Sequence, residues 1–402
     1  MIYSLYLHVP FCKHRCAYCD FNTYAGQEAL IPDYVDALVR EIESVAHSAP
    51  EQLAVHTIFF GGGTPSLLTS KQFEQIFRAL RGHFDLSDLE TSLEANPGTV
   101  SLDTLRDLRS LGFNRISFGV QSFHANELRQ LERIHDPFDV FDAVTWARRA
   151  GFENLNLDLI FGLPQQSLDR WSATVKRAVG LAPEHLSLYA LTVEHGTPFG
   201  RWAARGLLPV PDADAAAEMY EWAGDFLSAS GYEQYEISNW AKPGFQCEHN
   251  LQTWRNQPYL GFGAGAHGYA AGVRYSNVLR IKTYIERLTN PESRTVNIEF
   301  PFSPATVNRL PSTVRSEMQE TMMLGLRLTS EGVSAADFAA RFGVPVTDVF
   351  GKEIDELLGL GLLEWVLPPS PAFGRGAGGE GIIRLTKRAR LLGNQVFIRF
   401  VD

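Results

Sequence analysis

A chain of 402 residues, 45% hydrophobic and 20% charged, has an ordinary globular composition and the length for one large domain plus a smaller one. Its 36 Lys and Arg stand against 46 Asp and Glu, a net charge of −10, and no basic run stands out, so a nucleic-acid surface is not expected. No apolar stretch is long enough to span a bilayer, and the opening MIYSLYLHVPFC lacks the basic start and long apolar core of a signal peptide.

Short β-rich runs alternate with helical patterns over roughly the first 270 residues. Apolar or β-branched runs predict strands at Tyr3–Val9, Val55–Phe60, Thr91–Glu94, Arg115–Phe118, Asn154–Ile160 and His185–Leu191. Between them, amphipathic spacing predicts helices at Asp33–Ala46, Lys71–His83, Leu102–Leu111 and Pro137–Ala150. Strand then helix, repeated about six times, argues for an α/β fold with a parallel sheet, open or curled into a partial barrel. After Tyr269 the pattern changes. Asn290–Pro311 is polar and Pro-punctuated and reads as a linker; Ser316–Arg327, Ala335–Arg341 and Val346–Leu360 read as helices. Leu362–Leu367 and Ile382–Thr386 read as a β-hairpin with Pro368–Gly381 as its mobile tip, which gives a winged-helix-like α+β domain. The expected division is 1–289, a linker over 290–311, and 312–402.

Three of the four cysteines, Cys12, Cys16 and Cys19, fall within CKHRCAYC. Three thiolates on one short loop can hold three corners of a [4Fe–4S] cube, which normally takes four cysteines. Cys247 lies far along the chain, so one iron would be left open to a small molecule such as S-adenosylmethionine. A closed zinc site would need a fourth ligand, for which His8 and His14 are the nearby candidates. Disulfides are not expected from an odd cluster and a distant single cysteine. An oxygen-sensitive cluster, reduced thiols and the lack of an export signal together point to the cytoplasm.

Further along, Gly61–Pro65 reads GGGTP after the strand HTIFF, where glycines let the backbone approach a ligand and expose N–H groups. The lysine of a phosphate loop is missing. Glu94 and Asn96 end the third strand, Gln121 ends the fourth, and Asp158 lies on the fifth, with Arg133 between. A carboxylate inside an apolar strand costs several kcal/mol if left unpaired, so Asp158 is expected to meet a ligand or a partner such as Arg133.

CKHRCAYC, GGGTP, LEANPG, GVQSF, NLDLIFGLP and SLYALTVEHGTP, in this order, resemble the radical S-adenosylmethionine enzymes. More narrowly they resemble the branch containing oxygen-independent coproporphyrinogen III dehydrogenase and the HemW heme chaperones. The resemblance runs from about Tyr3 to the C-terminus and implies a partial parallel (β/α)6 radical-SAM barrel followed by a HemN-type C-terminal domain. It implies that Cys12, Cys16 and Cys19 ligate a [4Fe–4S] cluster whose open iron takes S-adenosylmethionine. By the same resemblance Tyr6 and Tyr18 flank the cofactor, and Gly62, Gly63 and Thr64 form the backbone edge that receives the methionine amino group. Glu94, Gln121, Arg133, Asp158 and Thr192 match the remaining cofactor contacts.

The two branches differ. The dehydrogenase resembles C-x3-C-x2-C-x-C with an N-terminal extension, whereas Phe21 stands at the extra cysteine's position here and Cys12 comes almost at once. Both features resemble the heme chaperone, which also carries H-N-x-x-Y-W; this chain has HNLQTW, His249 to Trp254, with Thr253 in place of the Tyr. His249 is then the candidate axial heme ligand, Cys247 an inert thiol, and His267 a weaker candidate. The function implied is heme binding and delivery to acceptor hemoproteins, with oxidative decarboxylation of coproporphyrinogen III as the enzyme alternative. A zinc-binding interaction module is the third reading. The resemblance leaves room for a flavodoxin- or ferredoxin-type electron donor, peripheral membrane association and a homodimer.

Overall fold

A computed structural model describes residues 1–210, 212–290, 299–366 and 381–401. Residues 291–298 of the expected linker and nearly all of the expected hairpin tip Pro368–Gly381 lie outside the described residues; the rest of that stretch is not a linker, since Thr306–Pro311 is a strand that joins the large sheet beside Val273–Asn277. The chain divides into two compact units, Met1–Tyr232 with Pro258–Leu310, and Glu233–Gln257 with Pro311–Asp402.

In the first unit, six parallel strands follow one another in chain order: Ile2–Val9, Ala54–Gly62, Asp85–Ala95, Arg115–Gln121, Asn154–Phe161 and His185–Ala190. Each predicted strand is present, most of them a residue or more longer than its apolar run, the sixth one residue shorter. The predicted helices are present as Ile31–Ser48, Ser70–His83, Leu102–Leu111 and Pro137–Arg149. Their ends are written locally. Thr69 and Gln72 form a capping box, Asp136 caps the helix that Pro137 opens, and Gly112 stops its helix in the left-handed region at φ +112°.

Pairing register sorts the side chains of this sheet into two faces, since residues opposite one another in adjacent strands project the same way. Leu5, Ile58, Leu93, Ile116, Leu155 and Leu186 are all buried apolar positions, and Leu93, Ile116, Leu155 and Leu157 belong to runs that alternate with polar residues. Phe60 packs edge-on against Phe73 and Phe113, with ring centroids 5.4 and 5.2 Å apart. The alternate positions carry polar groups: Glu94 pairs in register with Ser117, Ser117 with Asn156, and Asn156 with His185. The sheet therefore has one greasy face and one polar face, and the polar face carries the candidate site.

On the other side of the first strand the sheet is extended by Tyr259–Phe262, which runs parallel to it, and then by the antiparallel pair His267–Ala270 and Val273–Asn277. Glu41 of the first helix is tied to this extension. Its buried carboxylate accepts hydrogen bonds from Gly263 N (2.7 Å), Asn277 Nδ2 (2.7 Å), Tyr284 Oη (2.6 Å) and Ser303 Oγ (2.7 Å). Four donors stabilise the ionised form against the burial that otherwise raises its pKa.

The second unit holds helices Val314–Gly325, Ala335–Phe342 and Val346–Gly359 and the antiparallel strands Leu363–Val366 and Ile382–Leu385, as the sequence pattern predicts. A short third strand, Val333–Ser334, joins the second of these. Met322, Leu326, Phe338, Phe350, Ile354 and Ile383 build its core. Glu233–Gln257 belongs to this unit, where Tyr235, Leu251 and Leu328 pack together and Arg255 pairs with Glu331 at 2.6 Å. Among the described residues no helix is long and apolar enough to cross a membrane.

Replacing Glu41 with Ala strands four buried donors, so urea unfolding should show a loss of about 3 kcal/mol or more. Glu41→Gln, which keeps one acceptor oxygen, should lose less.

Candidate functional site

The loop that carries the cysteines leaves the first strand and is held at once by the second. Gly63 N donates to Val9 O (2.9 Å) and Thr64 N to Phe11 O (2.8 Å), just before Cys12. The contact is close enough that a Cβ on Gly63 would come within 2.5 Å of Phe11 O, which is why a glycine stands there. Gly62 N donates to Glu94 Oε2 (3.0 Å). These three N–H groups are thus spent inside the protein, which corrects the expectation that GGGTP exposes them to a ligand. What this edge can offer a ligand is carbonyl oxygens, the acceptors that an ammonium group requires.

Beyond the edge a chain of hydrogen bonds runs through the strand ends. Thr64 Oγ1 donates to Cys12 Sγ (3.7 Å), Asn96 Nδ2 donates to Thr64 Oγ1 (2.9 Å), and Arg133 donates through Nη2 to Asn96 Oδ1. Arg133 also reaches Gly119 O (2.6 Å) and, through Nη1, Cys16 Sγ (3.5 Å). Cys19 Sγ lies 3.9 Å from the hydroxyl of buried Thr23. The three thiols are electrostatic neighbours, and burial pushes the Cys12 and Cys19 thiols up.

Asp158 is half-buried in its strand, and its partner is not Arg133. Its carboxylate accepts from Ser117 Oγ (2.8 Å) and Asn156 Nδ2 (2.8 Å), and Asn156 in turn accepts from His185 Nδ1 (2.6 Å) and Ser187 Oγ (3.1 Å). Arg133 approaches from the stretch after the fourth strand and spends Nη1 and Nη2 on Cys16, Asn96 and Gly119 instead. Ser117, Asn156, His185 and Ser187 are the residues that motif reading misses. The signal was there: in NLNLDLIF and RISFGVQ polar residues alternate with apolar ones, which marks an inward polar face.

Gln121 ends the fourth strand in the left-handed region at φ +66°, next to a register shift between Gly119 and Gln121. Such a conformation is costly for a non-glycine residue and is kept where it aims a group. Tyr6 Oη donates to His8 Nδ1 (2.9 Å), and His8 Nε2 faces Asn22 O (2.9 Å). A carbonyl needs a donor, so Nε2 carries the proton and Nδ1 accepts. Both ring nitrogens of His8 are therefore engaged. His14 pairs with Glu132 at 3.5 Å. Tyr18 packs edge-on against Phe199, with centroids 6.4 Å apart, and interacts with Arg133. Thr192 is exposed beyond the sixth strand, and among the described residues no hydrogen bond joins it to the others. His249 is in the second unit, on the short helix Glu248–Trp254, and is buried.

The groups present fit an iron–sulfur cube. Of three neighbouring thiols, Cys16 accepts from the Arg133 guanidinium, whose Nε is buried without a partner, a donor suited to the negative charge of a thiolate-bound cluster. Among the described residues no three His, Cys, Asp or Glu converge to hold a single metal ion. A cube does not ask that of them, because each thiolate binds a different iron.

Glu94 is raised to about 7 by burial and then by the negative charge of Asp158, with the Gly62 N–H working the other way. A carboxyl raised in the fold from roughly 4.3 in the unfolded chain contributes stability that is complete below pH 4.3 and is lost as pH rises through its folded value. Thermal melts of reduced, metal-free protein should therefore show wild type losing stability relative to Glu94→Gln between about pH 4.3 and the folded pKa of about 7, with the difference level above that.

The family model described as the Radical SAM superfamily matches residues 6–178, and the HemN C-terminal domain matches residues 313–365. A heme chaperone HemW from Bacillus subtilis (strain 168) is 39% identical over 403 residues, covering 99% of each chain. The one from Lactococcus lactis subsp. lactis (strain IL1403) is 36% identical over 99% of this chain and 97% of its own. Among solved structures, coproporphyrinogen III oxidase (HemN) from Escherichia coli superposes with a TM-score of 0.81 at 25% identity, over 99% of this chain and 89% of that one. With both family models in their expected places and end-to-end identity above a third, the chain belongs to the HemW family of the radical SAM superfamily.

Proposed function

We propose that this protein binds heme and delivers it to acceptor hemoproteins, using a radical SAM scaffold that carries a [4Fe–4S] cluster and S-adenosylmethionine. The observation that carries this reading is the match to heme chaperones along the whole chain rather than along the barrel alone. Phe21 agrees with it: a large, mostly exposed apolar side chain stands where the dehydrogenase branch resembles a further cysteine.

In this reading Cys12, Cys16 and Cys19 hold the cluster, and Arg133 balances its charge from beside Cys16. The carbonyls of the GGGTP edge receive the ammonium of S-adenosylmethionine, while Gln121, Glu94 and Asp158 offer polar contacts from the inner face, with Tyr6, Tyr18 and Thr192 at its margins. When bound, the cluster supplies one-electron reducing chemistry to the cofactor. The protein's own part is to hold three thiolates, orient the cofactor and keep water from the apolar side of the loop. Protein and heme work in the cytoplasm, with a flavodoxin- or ferredoxin-type donor, a homodimer and peripheral membrane contact as further elements of the reading. The HNLQTW resemblance offers His249, in the second unit, as one candidate axial ligand.

The second reading, oxidative decarboxylation of coproporphyrinogen III, is favoured by the likeness to the coproporphyrinogen III oxidase structure. Anaerobic protein reconstituted with iron and sulfide separates the two. Transfer of heme to an apo-hemoprotein without porphyrinogen turnover is expected; turnover without stable heme would overturn the chaperone reading. Cys12→Ser should abolish the cluster's visible absorption and change the rate of heme transfer. An unchanged rate would mean that the cluster plays no part in delivery.

A further inference from the structure

A pocket of about 580 Å³ opens beside the cysteine loop, well within the size range of small-molecule sites. One wall is the loop itself, with Arg15, Phe21 and Tyr24; the other is the sheet extension, with Tyr259, His267 and Leu279. The two walls are latched. Asn22 Nδ2 donates to Ala264 O (2.9 Å) and Leu279 O (3.0 Å), and Tyr24 Oη donates to Leu279 O (3.2 Å). Gly265, at φ +82°, permits the approach: a Cβ there would lie 2.4 Å from Asn22 Nδ2. The pocket is thus preformed within the first unit.

Its chemistry is specific. Two imidazoles reach it, and His8 has both nitrogens engaged by Tyr6 Oη and Asn22 O. His267 is exposed on the wall, and no hydrogen bond occupies its ring among the described residues. Phe21 and Leu279 are 65% and 57% exposed, an apolar rim unusual for a polar cleft. Arg15 spends Nη2 on the carbonyls of Cys19 and Phe21, each at 3.3 Å, and a guanidinium has further N–H groups for a carboxylate. Asp20 is also on the wall, so charge alone does not choose the ligand; shape, aromatic lining and a donor imidazole do.

We propose that this pocket receives the tetrapyrrole, with His267 giving a ring-nitrogen lone pair to the iron, Phe21, Tyr24 and Tyr259 flanking the macrocycle, and Arg15 meeting a propionate. The assignment rests on the heme-binding reading and moves its iron ligand away from His249, which is 7% exposed. It also puts heme against the same loop that carries Cys12, Cys16 and Cys19, so that cluster loss and heme affinity are coupled through Asn22 and Tyr24.

The test titrates hemin into the full anaerobic chain and follows the Soret band. His267→Gly should weaken binding about tenfold or more and lose the histidine-ligated spectrum, and added imidazole should restore that spectrum. His249→Ala should bind as wild type does. Leu279→Arg, at the rim, should weaken binding without touching any imidazole, which keeps the pocket testable if the glycine variant unfolds. Loss of binding in His249→Ala with His267→Gly unchanged would overturn this assignment and leave the chaperone reading standing. No stoichiometric hemin binding by wild type would overturn both.

Discussion

One chain of contacts decides where the cysteine loop can be: the backbone bonds from Gly63 and Thr64 to Val9 and Phe11, continued through Cys12, Thr64, Asn96, Arg133 and Cys16. It crosses the ends of the first four strands. A loop of this kind, rich in polar residues and with three thiols, has little apolar surface of its own to order it, and ordering each residue costs on the order of 1–2 kcal/mol in backbone entropy. The strand ends meet that cost by hydrogen bonding it at both ends. Two of the three thiols are thereby presented before any cluster arrives, and Thr23 stands beside the third.

The sheet beneath makes this arrangement possible because its two faces do different work. The apolar face, with Phe60 against Phe73 and Phe113, supplies the burial that stabilises the barrel-like core. The polar face would be a liability without its network, since a carboxylate such as Asp158 cannot be buried alone. Ser117, Asn156, His185 and Ser187 hold it in a connected set in which each acceptor has a donor. The same face keeps Glu94 raised, because burial and the nearby Asp158 outweigh the Gly62 N–H and the charge of Arg115. Stability and cofactor contact thus draw on one pattern of alternation.

Much of the fold was legible from local sequence. Strands and helices appear where period-2 and period-3.6 patterns place them, and helix ends appear at Thr69, Asp136 and Gly112, where capping chemistry is written in a few residues. The cysteine loop was legible for the same reason: eight residues carry the whole signal. Partnerships were less so. Asp158 announces that it needs a partner, but whether that is Arg133 or Ser117 depends on strand register, which spans about forty residues of intervening chain. The GGGTP turn announces close approach, but not that the near neighbour is Phe11 O rather than a ligand.

By itself, the sequence determined the α/β alternation, the three-thiol donor set, the polar residues at the strand ends and the family, because each is a matter of residue type and short spacing. The tertiary structure alone decided which N–H groups the GGGTP edge has left, which residues hold Asp158, and which imidazole of the pocket has both nitrogens engaged. Those are matters of orientation and of competition for a limited number of donors and acceptors. His8 and His267 are the same side chain in sequence; hydrogen bonding at both nitrogens closes one of them, and exposure on a preformed wall leaves the other able to bind.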